Sequence, residues 1–160
     1  MTPERERAAA YASLKAFFEQ EKVTLNRTLD GLRDLLRQKP GACSGHELRA
    51  EASYVHDLYT SFENLFRAVA EELNGGVPKG DQWHKKLLLE MKIALPGKRP
   101  PVISEDLHRT LEECLRFRHL VRNSYGILLD PQKTRAISLL SISCTEELLA
   151  AFSSFLSALI

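Results

Sequence analysis

The segment "RFRHLVRNSYG", residues 116 to 126, sets Arg116, Arg118, His119, Arg122, Asn123 and Tyr125 within one apparent helix. Guanidinium groups grip phosphate through planar paired donors. An imidazole moves protons near neutral pH. An amide and a phenol hydrogen-bond phosphate or ribose oxygens. Steps of four and three from Leu107 reach Leu111, Cys114, Arg118, Val121 and Tyr125, an apolar seam with one guanidinium in its middle. Taking that group out of water costs several kcal/mol unless it is paired, so Arg118 must meet a carboxylate, reach a cleft or lie at an interface. Arg122 and Tyr125 continue its stripe, while Arg116, His119 and Asn123 form the adjoining one. The functional reading is a phosphate-handling surface; the plain one is solvated arginines with Arg118 in a structural salt bridge.

A second basic stretch, residues 83 to 100, carries Lys85, Lys86, Lys92, Lys98 and Arg99 against Glu90 alone. Folded beside the motif helix, it would extend a phosphate-binding surface. His46, His56, His84, His108 and His119 show no metal-ligand spacing, so no metal is expected. No phosphate loop, G-x-S-x-G elbow or paired-carboxylate signature appears, and no cofactor is expected.

The elements that must position these residues read as helices. Thr2, Pro3 and Glu4 make a helix start, and the helix runs to about Gln38, where "KPGACSG" ends it. Ser44 and Glu47 have capping-box spacing. Behind them Leu48, Val55, Tyr59, Phe62, Phe66, Val69 and Leu73 recur mostly at threes and fours, the strongest amphipathic signal in the chain. That helix should be central. "NGGVPKGDQ" reads as a loop with Asp81 as cap for the short helix "WHKKLLLEMKIAL", which "PGKRPPV" stops. Ser104 should cap the motif helix, and Asp130 with Pro131 should start a last helix toward Ile160. Nothing alternates with period two. The expected fold is all-α, a single antiparallel bundle of about five helices in one domain over residues 1–160.

A chain of 160 residues with 44% hydrophobic and 27% charged positions can bury a sizeable core. Its formal charge of +1 supplies no global field for nucleic acid or membrane, so any basic site must be local. Cys43, Cys114 and Cys144 form no C-x-x-C pair and leave an odd thiol, which suits a reducing cytoplasm. The charged "MTPERERAAAY" lacks the apolar core of a signal peptide. The apolar tail "LLAAFSSFLSALI" is 13 residues long, short of the roughly 20 a spanning helix needs, and reads as a core or interface segment. No membrane association is expected.

"RFRHLVRNSYG" followed by "LDP" resembles the HepT-like branch of the HEPN ribonuclease-toxin superfamily, whose signature is an arginine, then a histidine after a few residues, often followed by a tyrosine. "ASYVHDLYTSFENLF", "GGVPKGDQWHKKLL" and "RPPVIS" are similar to that branch as well. The resemblance covers residues 50 to 131 at motif level. It places Arg118 on the arginine and Tyr125 on the tyrosine, while Asn123 stands where the histidine is expected. It implies a homodimer whose inter-subunit cleft cuts RNA without metal, the ribose 2′-hydroxyl attacking the adjacent phosphate. It also implies a small nucleotidyltransferase antitoxin that modifies Tyr125.

Such chemistry needs a titratable proton carrier, which an amide is not. His119, one turn before Asn123, is the nearest candidate, and His84 a more distant one. The site expected from sequence therefore comprises Arg118, His119 and Asn123 in catalytic roles, with Arg116, Arg122, Lys85 and Lys86 binding phosphate. A non-catalytic HEPN-type binding or dimerisation module remains the alternative reading.

Overall fold

The computed structural model describes residues 2–38, 44–123 and 129–160. Among the described residues the chain forms five helices: α1 Pro3–Gln38, α2 Gly45–Leu73, α3 Trp83–Met91, α4 Glu105–Asn123 and α5 Pro131–Ser157. An isolated bridge joins Leu95 and Arg99. The all-α expectation holds, and three of the helix starts follow from their caps. Ser44 Oγ accepts from the Glu47 amide at 3.2 Å while Glu47 accepts from the Ser44 amide, closing a capping box. Ser104 Oγ accepts from the Leu107 amide at 3.1 Å, and Asp130 accepts from the Lys133 amide at 2.9 Å with Pro131 in the first turn.

The start of α3 differs from expectation. Gln82, not Asp81, occupies the cap position, and no side chain caps it. Gly80 turns the chain there at φ +98, a backbone conformation that favours glycine, and the Trp83 amide donates to the Gly80 carbonyl at 3.2 Å. This backbone turn stands in place of an aspartate cap.

α2 is central because it touches each of the other four helices. Val55, Leu58, Tyr59, Phe62, Leu65, Phe66 and Val69 are all buried along it. α1 runs antiparallel to α2, as the Ser13–Glu72 hydrogen bond and the approach of Gly31 to Tyr54 show. A methyl group at Gly31 would come within 2.7 Å of the Tyr54 ring, so a side chain there would oblige that ring to shift. Phe18 of α1 stacks on Phe152 of α5 with centroids 4.9 Å apart. The buried core is continuous and draws on all five helices.

The apolar tail lies within the last helix, as the Asp130–Pro131 start led one to expect. α5 spans 27 residues and is long and apolar enough, by length and composition, to cross a membrane. Its Cys144, Leu148, Phe152, Phe155 and Leu156 nonetheless join the core shared with α1 and α2, so the tail takes the first of the two roles, core or interface, expected of it.

The segment between α3 and α4 is pinned by Arg99. Its Nε donates to Asn74 Oδ1 at 2.8 Å, its Nη1 to the carbonyls of Ile93 and Pro100, and its Nη2 to that of Glu90. Burial lowers its pKa, against the pull of Glu90. Arg99 therefore leaves the surface patch expected over residues 83 to 100, because it is buried and its donors are committed to Asn74 and to backbone carbonyls. Lys92 is paired as well, with Glu105 at 3.0 Å.

Candidate active site

Arg118 projects from α4 into the gap between α2 and α3 and is 6% exposed. Of the three fates open to a guanidinium in an apolar seam, it meets a carboxylate: Nη1 donates to Glu63 Oε1 and Oε2 at 3.1 and 3.3 Å. Glu63 sits on α2 one turn beyond Tyr59, and the Tyr59 ring lies 5.6 Å from the guanidinium carbon. Tyr59 stays a neutral phenol, its pKa raised well above the ordinary value by burial and then by the Glu63 charge. Arg118 Nε is buried with no partner among the described residues. Such an atom is unusual in a folded protein and leaves one strong donor uncommitted.

The same carboxylate holds a second group. Glu63 Oε2 lies 2.6 Å from His84 Nδ1, and Arg118 Nη1 is 3.4 Å from that nitrogen. α3 delivers His84 here because the Gly80 turn aims its first residues at α2 and α4. Trp83 lies against the His84 ring, centroids 3.7 Å apart, with the Arg67 guanidinium 5.8 Å from the indole. The His119 ring meets that of His84 edge to face at 5.3 Å and 83°. Two imidazoles, two carboxylate oxygens and a guanidinium thus converge from three helices.

Burial depresses the His119 pKa, reinforced by His84, Arg118 and Arg122 and opposed by Glu63. His108, buried near the start of α4, is depressed by burial too, with Glu112 and Glu105 opposing and Lys92 reinforcing. Both histidines favour the neutral form when folded. The unfolded chain, with pKa values near 6.5, therefore binds more protons, and this stability is present above about pH 6.5 and lost as pH falls through the folded values. Urea denaturation at pH 7.5 and pH 5.5 should show the protein weaker at the lower pH, with His108→Gln reducing the difference. An unchanged difference in that variant would remove His108 from the account.

The structure brings together only part of the site expected from sequence. Arg118 and His119 are brought together through His84, the distant candidate, which lies against both. Arg116 and Arg122 are exposed on α4, and Lys85 and Lys86 are exposed on α3. Asn123 closes α4, but its side chain, like Tyr125, lies outside the described residues. Among the described residues no group of three or more His, Cys, Asp or Glu side chains is arranged to hold a metal. Glu63 escaped the sequence reading, although the signal was present: an acid four residues after Tyr59 and three before Phe66 falls on the buried face of α2, as Arg118 does on that of α4.

The sequence model of a family described as HepT-like protein matches residues 50–159, which takes in most of α2 and all of α3, α4 and α5. The chain belongs to the HepT-like family. All the residues of the Glu63, His84, Arg118 and His119 cluster fall inside the matched region, whereas α1 lies before it. No curated protein and no solved structure matches this HepT-like chain.

Proposed function

We propose that this HepT-like protein is a HEPN-type endoribonuclease toxin that cuts RNA without metal and is held in check by a nucleotidyltransferase antitoxin. The observation that carries the reading is the convergence of Arg118 with two imidazoles in one cluster. Arg118 would stabilise the charge developing on the scissile phosphate. An imidazole beside it, His119 or His84, would accept the 2′-hydroxyl proton, the part that Asn123 cannot play. Arg116, Arg122, Lys85 and Lys86, all exposed, would track the RNA backbone. The active form would be a cytoplasmic homodimer, and a nucleotide added to Tyr125 would set negative charge near the arginines and repel RNA.

Purified protein incubated with total RNA, beside an Arg118→Lys variant of checked fold, tests this. Cleavage should fall about a hundredfold to a thousandfold in the variant, the usual cost of a lost charge-stabilising donor. Asn123→His should raise the rate by adding a titratable group. Equal cleavage by wild type and Arg118→Lys would count against the assignment of Arg118. Mass spectrometry after co-expression with a nucleotidyltransferase should find the adduct on Tyr125.

A second reading, a non-catalytic binding or dimerisation module, draws on the Glu63 pair, which already neutralises Arg118. Intact RNA with both wild type and Asn123→His would favour it.

A further inference from the structure

His84 carries a geometry that its place in the sequence does not suggest. A ring nitrogen and a carboxylate oxygen 2.6 Å apart repel unless a hydrogen lies between them. An ionised Glu63, already accepting from Arg118, supplies none, so the hydrogen belongs to His84 Nδ1, which donates. The neutral ring then has its lone pair on Nε2, which points away from the carboxylate. Trp83 stacked on the ring and His119 meeting it edge to face hold that orientation. A carboxylate behind one nitrogen fixes the tautomer and compensates the charge that develops when the other accepts a proton.

Resting on the endoribonuclease reading, we infer that His84 is the general base and Glu63 its positioning residue, so that the base comes from α3 rather than from the motif helix. His84 Nε2 takes the proton of the ribose 2′-hydroxyl as O2′ bonds to the adjacent phosphorus. The P–O5′ bond breaks, and the departing O5′ takes a proton from water. The hydroxide left behind is neutralised by the proton on His84, which restores the base. The products are a 2′,3′-cyclic phosphate and a 5′-hydroxyl. Asn123 in the family's histidine position is then no obstacle, because the proton leaves by another helix.

The test uses the full chain and a short RNA. His84→Ala should lower kcat about a hundredfold to ten-thousandfold with little change in KM, the range for a lost general base. Free imidazole added to His84→Ala should raise its rate and leave wild type unchanged, a response that a merely structural role would not produce. His84→Gln, which still donates to Glu63 but cannot accept the proton, should stay inactive while melting near wild type. His119→Ala should lose less than His84→Ala. Long-range nitrogen–proton NMR on wild type, with His84 assigned by its absence in His84→Ala, should show the tautomer protonated at Nδ1. Wild-type rates in folded His84→Ala, or a ring protonated at Nε2, would overturn the assignment of His84 and leave the endoribonuclease reading standing. Products ending in a 5′-phosphate would overturn the written step. Wild type that leaves RNA intact sinks the endoribonuclease reading, and this assignment with it.

Discussion

Glu63→Ala is expected to lose about 3–5 kcal/mol of folding stability, the usual result of stripping one partner from a buried ion pair. The side chains of Glu63 and Arg118 are 6% and 7% exposed, so the remaining guanidinium cannot recover its hydration without opening the contact of α4 with α2. Nor can His84, whose Nδ1 faces the same spot, replace the lost carboxylate as an acceptor for Arg118 while it retains its proton. A double change, Glu63→Leu with Arg118→Met, removes both charges and should regain most of that stability, because desolvating two ions costs about as much as their attraction returns. Urea denaturation of the single and double variants measures this coupling directly. A loss under about 1 kcal/mol in Glu63→Ala would mean that water reaches the pair and that it behaves as a surface bridge. If the endoribonuclease proposal holds, the double variant also separates stability from activity: it should fold well and cleave no RNA.

Phe152→Ala should cost about 3–5 kcal/mol, the range for emptying an aromatic site in a packed core. The Phe152 ring is fully buried, stacks on Phe18 at 4.9 Å and meets Phe155 edge to face at 5.7 Å. It therefore joins α1 to α5, and its loss leaves a cavity between helices whose backbones cannot close over it. Leu139→Ala on the same helix makes the control, since Leu139 is 56% exposed and should shift stability by about 0.5 kcal/mol or less. Thermal melts of the two variants compare them, and similar midpoints would show that α5 does not anchor α1 as its packing implies.

Arg118 was singled out by sequence because its fault is local: one charge at a position whose neighbours three and four residues away are apolar. The helices were readable for the same reason. Ser44, Ser104 and Asp130 each cap within a turn of their own position, so their chemistry is complete in the sequence that contains it. Asp81 shows the limit of that logic, since a backbone turn at Gly80 performs the start that a side chain was expected to make.

By itself the sequence determined an all-α bundle with α2 at its centre, a misplaced arginine on α4 and a resemblance that the family match bears out. Tertiary structure alone decided what Arg118 meets. Glu63 lies 55 residues before it and His84 34 before it, separations that helical periodicity cannot bridge because it relates residues only along one helix. The packing of α2, α3 and α4 gave Arg118 its ion pair with Glu63, and it set a second imidazole against His119. It also withdrew Arg99 from the expected basic surface, since whether an arginine faces water or spends its donors on carbonyls depends on backbone groups that only the folded chain brings within reach.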